Sequence, residues 1–494
     1  MARAGIEVPL MIMRSDGGVM DVAEVARRPI LTMLSGPAAG IAGALLHENV
    51  TDGIFVEVGG TSADCSVIRR GLPQMQPARV GGHRTMLRTL DVRTLAIAGG
   101  SIVRVDPRGG GAGALRGVGP RSAHIAGLAY SCFVAESEFA DARVGFVQPK
   151  PGDPSDYLAL ELASGARATL TPTCAANLLG YVPEGDFARG NAASARRAFA
   201  LVAARLNVAP EALARAVLER AAATLRAAID ELIADYDLAR SDVELVGGGG
   251  GAAALVPFAA RFLGLRYRIA RDAEVISPLG VALALVRDVV ERTIVAPTPD
   301  DIVRVRREAL DRVVAAGASP ASTVVTVDID ARRNLVRATA SGATAAVSGN
   351  ATAFVASDGE RVAAAARTLA VAPHELRLAL RAGEFVLFEM ARGGDGDICV
   401  VDARGIVRVA ARRAALHATT ALRCEAALAL ALETATSYGD VGRALPDVYL
   451  VYGSRVADLG TLAEASQVVA LAAEELRGLD DLQAVAIVTA RKRA

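Results

Sequence analysis

The chain has 494 residues, enough to bury more than one core, and 52% of them are hydrophobic. Its 54 basic residues balance 54 acidic ones, so charge gives no case for a nucleic-acid partner or an anionic membrane. Tryptophan is absent and aromatics make up 4%, which leaves few platforms on which single-stranded bases could stack.

No uncharged run approaches the roughly 18–20 apolar residues of a membrane span. The first residues also lack the charged, apolar and cleavable regions of a signal peptide. Cys65, Cys132, Cys174, Cys399 and Cys424 are odd in number and widely spaced, with no Cys-x-x-Cys pair. Free buried thiols in a reducing cytoplasm are the expectation, and with them a cytoplasmic location.

In chain order, Leu31–Leu34 reads as a strand and Ser35–Gly40 as a loop, followed by an Ala-rich helix through Gly43–Leu46 with Pro37 in its first turn. Residues 54–68 carry the densest chemistry. An apolar strand ends at Glu57-Val58, turns through Gly59-Gly60-Thr61, and returns through Ser66-Val67-Ile68 with Asp64 near the turn. The two glycines expose backbone N–H groups to an approaching anion, Thr61 and Ser62 add hydroxyl donors, and Asp64 is placed to hold Mg²⁺ through water. A phosphate-binding hairpin and an ordinary Gly-Gly hairpin turn both fit these residues.

Further on come the turn Ala98-Gly99-Gly100-Ser101-Ile102, a Gly-rich surface loop at 108–113, and the segment Gly119-Pro120-Arg121-Ser122-Ala123-His124. A Pro-rich connector spans 148–154. Residues 192–237 predict one or two long helices, with Phe199, Val202, Ala203, Leu206, Leu218, Ala221, Ala222, Leu225 and Ile229 at helical spacing on the buried face. A strand at Val243–Val246 runs into five glycines, Gly247 to Gly251. After them come a helix through Val256–Phe262, a strand Tyr267–Ile269, and Ser277-Pro278-Leu279-Gly280 before another helix. Beyond residues 295–299 the character changes. Ser322–Ile329 alternates as a strand, Ile398–Val409 reads as a hairpin, and Val485–Val488 as a terminal strand, an α/β accessory domain over 300–494.

The ordered set formed by Ser35–Gly40, Glu57–Asp64, Gly99–Ile102, Gly119–Ala123 and the late glycine run resembles the hydantoinase A / 5-oxoprolinase family, over about residues 5–295. The resemblance implies an α/β core of the actin, sugar-kinase and heat-shock-chaperone superfamily, in which ATP sits in a cleft between two related lobes. It gives residues 1–295 the nucleotide-binding domain. It implies that Gly59, Gly60, Thr61 and Ser62 hold phosphates, that Asp64 is catalytic and orients Mg²⁺ or water, and that Gly247, Gly248, Gly249 and Gly250 hold the nucleotide. Glu57, Gly99, Gly100, Ser101 and His124 become candidates for the cleft lining. The glycine run keeps two competing readings. With Asp272 about twenty positions on it matches a dinucleotide fingerprint, and it also suits a tight helix–sheet contact without a ligand.

Three departures stand against the family pattern. Glu57 occupies the place of an Asp. The segment Thr173-Cys174-Ala175-Ala176-Asn177 has Cys174 where the family has Asp. The sequence matches the family's second lobe, without the Asp-x-Gly-Gly-Thr hairpin of a first. A partner chain carrying that hairpin, or the 300–494 domain over the same face, is therefore expected. Elsewhere, His47, His83, His124, His374 and His417 stand isolated, which argues against a zinc site, and Asp395 with Asp397 forms at most a cation-binding or solvated loop.

Three functions follow. The resemblance implies ATP-dependent opening of a cyclic amide such as a hydantoin or 5-oxoproline through a phosphorylated intermediate, with ketone carboxylation through an enol phosphate as a variant. A non-catalytic nucleotide-binding subunit or reactivating factor is the second, and an NAD-dependent dehydrogenase the third.

Overall fold

A computed structural model describes residues 10–48, 50, 53–69, 72–80, 83–330, 333–343, 355–369, 371–390, 396–439, 442–462 and 464–492. Its contacts form two compact units, Leu34–Ala282 and a second made of Met1–Met33 with Leu283–Ala494. The boundary expected near 295–300 thus differs from the contact division. Strand Val19–Asp21 pairs in parallel with Val286–Thr293, which draws the N-terminal segment into the sheet of the second unit.

In the unit Leu34–Ala282 the sheet that positions the candidate site runs in the order Arg266–Ile269, Glu244–Gly248, Gly53–Val58, Ala63–Arg69, Leu72–Pro73, with Val92–Leu95 also on Ala63–Arg69. The first three strands are parallel, and Gly53–Val58 turns back antiparallel into Ala63–Arg69. Parallel strands covered on both faces read as continuous apolar runs, and Ile54, Phe55, Val56, Leu245 and Val246 are all 0–1% exposed. A second sheet of six strands contains Ser101–Val105, Leu115–Ser122 and Tyr157–Glu161.

The helical region at 192–237 resolves into two helices, Ala192–Leu206 and Pro210–Asp235. Asn191 caps the first through the N–H groups of Ala193 and Ser194, and Pro210 opens the second, where a missing N–H costs nothing. All nine apolar positions read from helical spacing are buried.

Two local expectations fail. Leu31–Leu34 is no strand: Pro29–Thr32 is a 3₁₀ turn set by the fixed φ of Pro29, and Leu34 takes a left-handed conformation with φ 61°. Ser35–Gly40 is no loop either, because the helix begins at Ser35 and runs to Leu46. Its glycines serve close approach. A Cβ on Gly40 would overlap the Glu57 carboxylate, one on Gly43 would overlap the Ile276 backbone, and one on Gly280 would overlap Ala39. Helix Ile276–Leu283 therefore crosses it backbone to backbone.

The second unit holds a five-stranded sheet, in the order Met11–Met13, Val19–Asp21, Val286–Thr293, Leu335–Gly342, Val324–Asp330. Its seven-stranded sheet includes the predicted hairpin as Gly396–Val401 and Val407–Thr420, and the terminal strand as Ala484–Ala490. Asp397 lies in the first of these strands, and Asp395 falls outside the described residues. Helix Pro299–Ala315 sends Arg306, 6% exposed, to Glu475, 7% exposed, with Nε 2.7 Å from Oε1, and the Tyr452 hydroxyl donates to the same carboxylate at 2.8 Å.

Candidate nucleotide-binding site

The hairpin and the glycine run hang from neighbouring strands. Glu57 and Gly248 are register partners, and both chains turn immediately afterwards. The hairpin closes with the Gly59 N–H donating to the Ser62 carbonyl at 3.0 Å. Gly249 reverses direction with φ 81°, and a Cβ there would meet the Val58 carbonyl oxygen at 2.5 Å. The Gly251 N–H then donates to that same carbonyl at 2.8 Å. Two loops separated by nearly 190 positions are thus joined directly. Gly59, Gly60 and Thr61 are exposed, and the N–H groups of Gly60, Thr61 and Gly250 meet no acceptor among the described residues. Helix Ala252–Leu263 begins beside them, adding the partial positive charge of its N-terminus.

The run divides in two. Gly247 and Gly248 are buried strand residues, packed on Ile269 and on the Phe55 ring, and only Gly249 and Gly250 reach the turn. The tight-contact reading therefore describes the first pair.

Behind the hairpin lies a bracing layer. The Gly59 carbonyl accepts from Gly99 N–H at 3.2 Å, and the Gly99 carbonyl accepts from Thr173 N–H at 3.0 Å and Thr173 Oγ1 at 2.9 Å. Thr61 Oγ1 lies 3.1 Å from Ser122 Oγ. Gly99, Gly100 and Ser101 are buried, and Ser101 Oγ accepts from the Ala98 N–H at 2.9 Å, so these candidates support the turn from below. His124 is exposed on the short helix Ala123–Ala126.

Glu57 and Asp64 face each other directly across the hairpin and so share one side of the sheet. Burial, opposed by a hydrogen bond from the Ser277 hydroxyl and assisted by the charge of Asp64, pushes the Glu57 carboxyl up to about 7. Asp64 is also raised by burial, against a hydrogen bond from the Thr94 hydroxyl. Burial first, then the charge of Asp64, pushes the Cys65 thiol up to about 12, which keeps it from being a nucleophilic thiolate. Among the described residues no three His, Cys, Asp or Glu side chains cluster as a metal cage. The Glu57 carboxylate fills the space left by Gly40 and accepts from Ser277, which leaves Asp64 as the carboxylate suited to a hard divalent cation held largely by water and phosphate oxygens.

Sequence reasoning missed three residues here. Gly100 lacks a side chain where the Tyr130 hydroxyl sits, and that hydroxyl also borders Gly60. Burial pushes the Tyr130 phenol up to about 12, leaving it a donor at neutral pH. Ser277 reaches Glu57 from helix Ile276–Leu283. Asn177, 1% exposed, ties its own helix to the loop at 188–190. The signal for Ser277 was its place in Ser-Pro-Leu-Gly ahead of a helix, whereas Tyr130 lies in a stretch with no pattern of its own. Cys174 is buried and free, accepting from the Thr171 hydroxyl at 3.2 Å and the Cys132 N–H at 3.5 Å. No helix among the described residues is long and apolar enough to cross a membrane.

Fold and site together define a mixed α/β protein with two abutting glycine turns that carry unengaged N–H groups and, in the hairpin strands, a facing carboxylate pair. Residues 1–290 match the family described as Hydantoinase/oxoprolinase, and the chain belongs to that family. An uncharacterized protein of Schizosaccharomyces pombe is 34% identical over 97 residues, 19% of this chain and 8% of that protein. An acetone carboxylase solved without nucleotide is 16% identical with a TM-score of 0.48, over 84% of this chain and 61% of the other. An ATP-dependent caprolactamase from Pseudomonas jessenii is 19% identical with a TM-score of 0.45, over 69% and 54%. The chain thus spans less than two thirds of each of these proteins.

Proposed function

We propose that the chain is an ATP-dependent enzyme that opens a cyclic amide of the hydantoin or 5-oxoproline type through a phosphorylated intermediate, within a larger assembly. The observation that carries this reading is the junction of the two turns, where Gly251 N–H meets the Val58 carbonyl and the N–H groups of Gly60, Thr61 and Gly250 meet no acceptor among the described residues. Gly59, Gly60, Thr61 and Ser62 hold phosphates in this reading, and Gly249 and Gly250 the remainder of the nucleotide. Mg²⁺, held through water by Asp64 beside Glu57, supplies neutralising charge. Ring amides resist hydrolysis because resonance makes the carbonyl a poor electrophile, and phosphorylating the oxygen creates a leaving group. Glu57, with a carboxyl near neutral, is suited to exchange a proton in that step. A complete cleft needs a facing lobe, in this polypeptide or in a partner.

The test is titration with ATP and Mg²⁺ of wild type, Asp64→Ala and Gly60→Val, together with phosphate release in the presence of hydantoin and of 5-oxoproline. At least a tenfold loss of affinity is expected in both variants. Equal affinity in all three sinks the assignment, and tight NAD binding without ATP binding favours the dehydrogenase instead. A non-catalytic nucleotide-binding subunit is the second reading, favoured by Cys174, a buried thiol at a position where the family carries a carboxylate. Nucleotide binding without phosphate release supports it.

A further inference from the structure

Phe187 is the most exposed aromatic side chain among the described residues, at 72%. A ring left in water forfeits the burial that normally stabilises it. It is not a loose tip. Asn177 Nδ2 donates to the Ala188 carbonyl at 2.9 Å and Asn177 Oδ1 accepts from the Gly190 N–H at 2.8 Å. Asp186 Oδ1 accepts from the Ala188 N–H at 2.8 Å, and Arg189 donates to the Val182 carbonyl at 2.7 Å. The ring is held out deliberately on both flanks. Its edge lies on Gly250: a Cβ there would stand 2.8 Å from Cδ1 and 2.9 Å from Cε1. The exposed aromatic thus adjoins Gly250, in the part of the glycine run that is not buried.

We propose that Phe187 is the platform on which the base of the bound nucleotide stacks, with the phosphates directed to Gly59–Ser62. This rests on the nucleotide-binding reading above and adds to it the wall of the base pocket. A phosphate chain at the hairpin leaves its nucleoside to run outward past Gly250, where an apolar face meets it, and any base offers a π-face to such a ring. Asn177 acts as a positioning residue, since it contacts the loop and not the ligand.

Full-length wild type, Phe187→Ala and Phe187→Trp are each titrated with ATP and with inorganic tripolyphosphate, both with Mg²⁺. Phe187→Ala is expected to bind ATP about tenfold more weakly while its tripolyphosphate affinity stays unchanged. Because the chain has no tryptophan, Phe187→Trp carries a single one. Its emission is expected to quench with ATP and not with tripolyphosphate, at near wild-type affinity. Unchanged ATP affinity in Phe187→Ala, or equal loss for both ligands, overturns the platform. Wild type that binds tripolyphosphate as tightly as ATP overturns it while keeping the phosphate site. Wild type that binds neither overturns the underlying reading as well.

Discussion

The carboxylate of Glu57 accepts a hydrogen bond from the hydroxyl of Ser277, a residue 220 positions further along the chain. Their meeting depends on the missing side chain at Gly40, whose place the carboxylate fills. One glycine in the first helix of the unit therefore decides whether an acid can be stored beneath the hairpin.

Gly40→Ala is expected to lower stability by about 1–3 kcal/mol, because the added methyl overlaps the carboxylate in a packed slot. Gly36→Ala in the same helix meets nothing within 4 Å, and is expected to leave stability unchanged or raise it by up to about 1 kcal/mol. Thermal unfolding of the two variants separates steric cost from helix propensity.

Glu57 has its carboxyl raised from 4.5 to about 7, so the folded chain holds this proton more tightly than the unfolded one. The stability it contributes is full below pH 4.5 and is lost as pH rises to about 7. Denaturant titrations across that window are expected to show wild type falling relative to Glu57→Gln, with the difference flat above it. Wild type that stays level with or rises against Glu57→Gln between pH 4.5 and about 7 contradicts the assignment.

Tyr130→Phe is expected to keep the fold and to bind ATP about three- to tenfold more weakly, the loss of one hydrogen bond of about 0.5–1.5 kcal/mol. Gly100→Ala places a methyl on the Tyr130 hydroxyl and is expected to damage the bracing layer itself. Chemical denaturation with ATP titration distinguishes a lost donor from a distorted turn.

Asn177→Ala removes hydrogen bonds to the Thr173 and Ala188 carbonyls and the Gly190 N–H, and is expected to cost about 2–4 kcal/mol. Asn177→Asp turns an acceptor toward two carbonyls and is expected to be as harmful. Limited proteolysis should cut near 183–190 in both, and ATP affinity should fall with the displacement of Phe187.

In the other unit, Glu475→Ala strands the buried Arg306 charge and is expected to cost about 3–5 kcal/mol. Pairing it with Arg306→Met should recover much of that loss, which unfolding of the single and double variants measures.

Much of the site-bearing unit was readable because glycine spacing and apolar periodicity are local signals. The hairpin at 57–64 and the helices at 192–235 follow from a few adjacent residues each. The same glycines misled where their cause was distant. Ser35–Gly40 reads as a loop by composition, yet Gly40 and Gly43 are there for Glu57 and Ile276, contacts that no local pattern announces. Gly247 and Gly248 resemble ligand-facing glycines, yet they make room for Ile269 and Phe55. Tyr130, Ser277 and Phe187 were missed for one reason: each acts through a partner far away in sequence.

The carbonyl of Val58, accepting the Gly251 N–H, has one more implication. The two glycine turns are rooted in hydrogen-bonded strands, so their separation is gauged by the interstrand distance of about 4.8 Å and not by loop length. This junction behaves as a fixed ruler. A related chain with a longer or shorter ligand would have to adapt through the loop that carries Phe187, or through whatever closes over the site, since the spacing of the sheet itself leaves nothing to adjust.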